Sequence, residues 1–202
     1  MPTFVALLRG VNVGGHKRVP MADWRALMAE QGYTHVRTLL NSGNAVFDAA
    51  GAATPAAAAR HARALQEMLA TRLRVEVPVV VKTAAQVAAI VAGNEWVRPF
   101  AQQAMGAASA AELEFDASRL LVAFAPDAAA LAGLAPIAGL VQPPERFLLG
   151  RHAAYLHCAS GILQSRAGEA LLASKAGGTA ITTRNWATTL KLQAMALSGE
   201  EA

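Results

Sequence analysis

The residues best suited to chemistry gather in one short stretch, "LLRGVNVGGHKRVPM", from Leu7 to Met21. An apolar run stops at Arg9. Gly10, Asn12, Gly14 and Gly15 follow, then His16, Lys17 and Arg18, and then Pro20. Glycine reaches positive φ at little cost, so successive N–H groups in such a loop can converge into a nest for an anion. Arg9, Lys17 and Arg18 would add charge. Two common nucleotide loops are excluded by spacing. A phosphate loop of the form G-x-x-x-x-G-K-[ST] needs Lys and then Ser or Thr directly after its second glycine, whereas Gly15 is followed by His16, Lys17 and Arg18. The G-x-G-x-x-G pattern of dinucleotide folds is absent. The helix signal begins only at Pro20, so no helix dipole aims at the loop. The competing reading is a long glycine turn whose Asn12 bonds its own backbone.

A second polar stretch, "ITTRNWATTLKL", lies near the C-terminus. Asn185 or Thr183 suits the N-cap of the helix that follows. Arg184 at a helix start opposes the positive end of the helix dipole and so calls for an anion or a carboxylate nearby. Glu169, one helical turn past Ser165, is the nearest acidic candidate in sequence. Other constellations fail. His157 and Cys158 are adjacent in a strand and point to opposite faces, which argues against a nucleophile–base pair and for a buried, inert thiol. The five histidines are scattered, form no H-x-x-x-H pair, and imply no metal. No cofactor is implied. "GILQSRAG" contains a serine but no G-x-S-x-G elbow.

Elements must place these residues. Thr3–Arg9 reads as a strand, and Met21, Trp24, Leu27 and Met28 share one face of a helix over Met21–Gln31, ended by Gly32. Val36–Leu40 and Ala45–Asp48 are strands joined by the hairpin signal "NSGN"; Ala56–Leu73 is a helix and Glu76–Lys82 a strand. The order is β-α-β-β-α-β, the split βαβ or ferredoxin-like unit. Leu120–Ala125, Asp127–Ala138, Arg146–Gly150, Ala153–Cys158, Ser165–Ala176 and Thr179–Thr183 repeat that order, and Trp186–Leu197 adds a helix. The expectation is an α+β protein of two tandem ferredoxin-like units, residues 1–82 and 119–202. A connector of one helix (Ala84–Ala92) and a loop occupies 83–118. In this topology the loop after strand 1 and the turn after strand 2 share an edge, so Gly10–Val19 should lie beside Asn41–Asn44. Arg72 and Arg74 should approach the same rim. In the second unit, the strand before "TTRN" should run parallel to Ala153–Cys158. "FVALL" and "VEVPVVV" are apolar on both faces, which suggests sheets covered on both sides.

The chain has 202 residues, 54% of them hydrophobic, and a single cysteine, which excludes an internal disulfide. The N-terminus lacks a basic leader, and Pro126, Asp127 and Pro136 break the longest apolar stretch. A cytoplasmic protein with no membrane partner is therefore expected. Residues 1–82 hold ten Lys and Arg against five Asp and Glu, a net of +5, and the remainder hold eight against nine, a net of −1. Polyanions would be drawn to the first half, unless the charge serves only solubility.

Taken together, "ALLRGVNVGG…VPM", "VRTLLNSGNAVF" and "TTRNWATTLKL" resemble the bacterial family of uncharacterised proteins called domain of unknown function 1697. The three blocks stand in the family's order and span nearly the whole chain. The resemblance implies a two-part α+β fold of ferredoxin-like units and no established activity. Arg9, Gly10, Asn12, Gly14, Gly15, Ser42, Gly43, Asn44, Thr183, Arg184, Asn185, Trp186 and Lys191 fall on its motifs. Departures are Arg166 for a lysine, Ala167 for a leucine and Ala187 for an asparagine.

Three functions compete. The first is a binder of a phosphate-rich ligand, nucleotide or nucleic acid, through Arg9, Asn12, Gly14, Gly15, Lys17, Ser42, Asn44, Arg184, Asn185 and Lys191. The second is an enzyme acting on a small polar substrate by electrostatic stabilisation. The third is an interaction module without chemistry. The absence of a general base or metal cluster in the sequence ranks the binder first.

Overall fold

The computed structural model describes residues 1–14, 17–97, 116–176 and 179–198. Its elements run in the order β1 (Thr3–Leu8), α1 (Met21–Glu30), β2 (Thr34–Leu39), β3 (Asn44–Asp48), α2 (Pro55–Arg72), β4 (Val79–Thr83) and α3 (Ala84–Ala92). The second series is β5 (Leu120–Phe124), α4 (Ala128–Ala132), a 3-10 segment (Ala135–Leu140), β6 (Arg146–Leu149) and β7 (Ala154–His157). It continues with a 3-10 turn (Ile162–Gln164), α5 (Arg166–Ala173), β8 (Lys175–Ala176), β9 (Thr179–Ala180), β10 (Thr182–Asn185) and α6 (Trp186–Leu197).

The first sheet has the order β2-β3-β1-β4 and the second β10-β5-β7-β6, with every neighbouring pair antiparallel. Within each β-α-β-β-α-β series the strands therefore stand 4-1-3-2, as in a ferredoxin-like unit. β1 and β2 are both antiparallel to β3 and so parallel to each other, and β10 is likewise parallel to β7. The fold is α+β with two similar halves and a C-terminal helix.

Local chemistry accounts for the element ends. Thr54 caps α2 by accepting from Ala57 N at 3.1 Å, with Pro55 at its first position. Thr83 and Gln86 cap α3 reciprocally: Gln86 N donates to Thr83 Oγ1 at 3.1 Å and Thr83 N to Gln86 Oε1 at 3.0 Å. Asp127 caps α4 and Ser165 caps α5, each accepting at 2.8 Å from the backbone three residues on. Gly32 follows α1 at φ +82°.

On one face of the first sheet, Phe4, Ala6, Leu8, Phe47, Val79 and Val81 pack with Trp24, Leu27 and Met28 of α1 and Leu65, Met68 and Leu69 of α2. Val5, Leu7, Val46 and Val80 on the opposite face are buried as well. Both faces are therefore covered, as the continuous apolar strands require. In the second half, Leu121, Ala123, Ala154 and Leu156 pack with Leu131 of α4 and with Ala167 and Leu171 of α5.

Several boundaries differ from the sequence reading. β4 starts at Val79 rather than Glu76. The segment 127–138 is not one helix: α4 stops at Ala132, and Pro136 falls in the 3-10 segment that follows. Thr179–Thr183 is not one strand, because Thr179–Ala180 pairs with Lys175–Ala176 in a two-stranded ribbon and Thr182–Asn185 joins the main sheet. The loop assigned to the connector falls largely on 98–115, outside the described residues. The chain divides into two compact units, Met1–Val87 with Lys191–Ala202, and Ala88–Leu190. The C-terminal turns of α6 group with the first unit for a physical reason. Arg37 of β2 donates to Met195 O at 2.6 Å and to Ser198 Oγ at 3.0 Å, placing a cation on the carbonyl end of that helix.

Candidate functional site

The rim of the first unit is built by one side chain. Asn12, at φ +57°, donates Nδ2 to Val19 O at 2.9 Å and to Asn41 O at 2.6 Å, and its Oδ1 accepts from Val19 N at 2.9 Å. The loop is thereby closed on itself and fastened to the β2–β3 turn, so the shared edge expected for 10–19 and 41–44 is present. Beneath it, Leu8 N donates to Gly43 O at 2.9 Å and Arg9 N to Pro78 O at 3.0 Å. Gly43 sits at φ +75°, and a Cβ there would lie 2.5 Å from Leu8 Cβ. Asn44 is fully buried and donates Nδ2 to Leu39 O at 2.9 Å and to Ser42 Oγ at 3.0 Å, which shapes the turn from below.

On this base, φ is positive at Gly10, Asn12, Gly14 and Lys17. Gly10, Gly14, Lys17 and Arg18 are exposed. Lys17 and Arg18 form no ion pair among the described residues. Arg9 is half-buried, and burial lowers its pKa, yet a guanidinium keeps its charge at neutral pH. Gly15 lies outside the described residues. Arg72 does not serve this rim as expected: it is turned to Glu30, with the two side chains in an exposed ion pair of 2.9 Å. Arg74 is exposed.

In the second unit, Asn185 is the N-cap of α6, accepting from Thr188 N at 2.9 Å. Arg184 is half-buried and donates to Thr182 Oγ1 at 2.9 Å and to Thr183 O at 2.7 Å. Burial pulls its pKa down to about 10, so it remains a cation at neutral pH in a poorly hydrated place. Glu169 is exposed, and among the described residues no ion pair joins it to Arg184. Lys191 is exposed on α6.

The rejected constellations are equally defined. Cys158 is fully buried, and burial pushes its thiol pKa up, opposed by a hydrogen bond with Ser165. We expect Cys158 to react with a thiol reagent in the native state far more slowly than in denaturant; equal rates would contradict this. Burial lowers the pKa of His157, helped by Arg146 and Arg119. Among the described residues no three His, Cys, Asp or Glu side chains form a metal cluster, and no helix is long and apolar enough to cross a membrane.

One polar pair escapes sequence spacing altogether. His35 Nδ1 lies 2.8 Å from Asp48 Oδ2, at the opposite end of the first sheet from the glycine loop. No motif links residues thirteen apart in two strands; only the pairing of the start of β2 with the end of β3 brings them together.

The solved structure of a conserved bacterial protein, SP0830 from Streptococcus pneumoniae, is similar to this chain with a TM-score of 0.71 at 20% identity, covering 96% of this chain and 98% of that one. At that identity the likeness is one of fold. None of the curated proteins compared matches the chain. The model of a family described as protein of unknown function (DUF1697) matches residues 1–155, which hold the glycine loop and the "NSGN" turn, while "TTRN" lies beyond them. With well over half of its length matched, the chain belongs to the DUF1697 family.

Proposed function

We propose that the chain binds a phosphate-rich ligand, nucleotide or nucleic acid, at the loop of the first unit. The observation that carries this reading is a braced loop with uncommitted charge: Asn12 holds the loop in place while Lys17 and Arg18 stay exposed and form no ion pair among the described residues. Exposed cations beside a fastened turn attract an anion, at the cost of ordering their own side chains. Arg9, Lys17 and Arg18 supply charge, and Gly10 and Gly14 let the backbone come close to a phosphate. Asn12, Ser42 and Asn44 support the loop rather than touch the ligand. Arg184 and Asn185 lie in the other unit, where their described bonds are internal.

The test is a titration of fluorescently labelled single-stranded RNA with the purified chain at two salt concentrations. Three phosphate contacts give a slope of about −2 in log affinity against log salt, so a rise from about 50 to 200 mM should weaken binding about 20-fold. At low salt the dissociation constant should lie at about 10⁻⁵ M, in the range of sequence-independent contacts. Lys17→Glu with Arg18→Glu should abolish binding and leave the unfolding transition in place, because both side chains are exposed. No binding at low salt would leave the rim as a cationic surface serving solubility.

A further inference from the structure

Three strands of the first sheet bring three polar side chains into line. Thr3 Oγ1 donates to Asp48 Oδ1 at 2.7 Å, and Asp48 Oδ2 faces His35 Nδ1 at 2.8 Å. The Asp48 side chain is 7% exposed and that of His35 76%. A carboxylate only accepts, so the bridging proton sits on His35 Nδ1, and in the neutral ring the lone pair is then on Nε2. Thr3 occupies the other oxygen and keeps the carboxylate from turning away. The backbone serves the same placement. Between Thr34 and Arg37, β2 uses three steps against two in β3, and His35 lies within that bulge at φ +49°. A bulge re-aims a side chain, and a non-glycine residue at positive φ is a strained state that points to function.

We propose that His35 is a phosphoryl-acceptor histidine. Its Nε2 attacks the phosphorus of an activated donor, an acyl phosphate or a phosphoramidate, and a nitrogen–phosphorus bond forms. The bond from phosphorus to the donor's leaving group breaks, and the leaving group departs with that electron pair. The Nδ1 proton stays on the ring, where Asp48 balances the positive charge the imidazole acquires. Exposure distinguishes an acceptor from a general base. An imidazole 76% exposed is open to an incoming donor but has no walls with which to hold a substrate and exclude water. This site stands apart from the glycine loop, at the other end of β1, and its test is independent of RNA binding.

The test is reaction of the intact chain with potassium phosphoramidate, with sites and rates read by mass spectrometry under conditions that preserve acid-labile phosphohistidine. His152 is exposed and makes no bond among the described residues, so it serves as a control in the same tube. His35 should be modified about tenfold faster than His152, the factor that one hydrogen bond to a charged group supplies. Asp48→Asn should bring that ratio close to one, and His35→Gln should remove the fast site. Should Asp48→Asn fail to fold, Thr3→Val, which releases the carboxylate from its anchor, should lower the ratio instead. Equal rates at His35 and His152 in the wild-type chain would overturn the proposal. So would a fast His35 that neither Asp48→Asn nor Thr3→Val slows in a folded protein.

Discussion

Gly43→Ala should destabilise the first unit by about 3–5 kcal/mol, the sum of a strained backbone and an overpacked contact. Two independent effects act at this position. Gly43 sits at φ +75°, where an L side chain is disfavoured. The added Cβ would also lie 2.5 Å from Leu8 Cβ, 2.8 Å from Leu8 Cγ and 2.8 Å from Val11 Cγ2. Leu8 and Val11 are buried, and Leu8 N donates to Gly43 O, so the turn cannot move away without breaking the bond that ties it to β1. A loss of this size is a large share of the about 5–15 kcal/mol that holds a domain together. Urea unfolding followed by tryptophan fluorescence reads it directly, since Trp24 packs in the same core. Gly10→Ala supplies the comparison: its φ is +64°, but no atom lies within 4 Å of the added Cβ, so only the backbone effect remains. A Gly43→Ala loss no larger than that of Gly10→Ala would mean that the contact with Leu8 and Val11 relaxes freely.

Arg184→Ala should cost about 2–3 kcal/mol, because it removes two hydrogen bonds made by a charged group in a poorly hydrated place, together with a packed aliphatic stem. The side chain donates to Thr182 Oγ1 and Thr183 O, and desolvation alone accounts for its lowered pKa. Arg184→Met keeps most of the volume and should recover part of the loss, leaving the hydrogen-bonding share. Thermal unfolding of both variants, with RNA binding measured in parallel, separates scaffold from site. For a scaffold residue, stability falls and binding at the first unit's loop is unchanged, which is the expected result. An unmoved melting temperature with binding abolished would instead make Arg184 a ligand contact.

Much of this molecule is legible from neighbours in sequence. The strand and helix order, the turn at "NSGN", an N-cap at Asn185 or Thr183 and the shared edge of the glycine loop and that turn all follow from local signals: hydrophobic period, positive-φ glycines and capping side chains within a few residues. The two units repeat one topology because each repeats the same local order. Asn12, a candidate ligand contact whose competing reading is a turn residue bonding its own backbone, is found closing its loop onto Val19. Where local signals are mixed, boundaries moved. Pro136 cut one expected helix, and the pairing of Lys175–Ala176 with Thr179–Ala180 took the first part of an expected strand.

The partners of long polar side chains and the burial of charge come instead from the three-dimensional packing. Arg72 pairs with Glu30, 42 residues away in sequence; Arg37 holds the end of α6, 158 residues away; Thr3 and Asp48 meet across 45. No spacing rule reaches such distances, because the pairs depend on strand register and on how far a flexible side chain extends. His35 shows the limit most clearly. One extra residue in β2 decides where its ring points, and a shift of one residue along a strand turns every side chain to the other face. Residue type and local spacing settle which residues can form strands, turns and caps. The register of β2 on β3 decided that a histidine and an aspartate form a pair, and the packing around β10 decided that Arg184 is a desolvated cation rather than a solvated one.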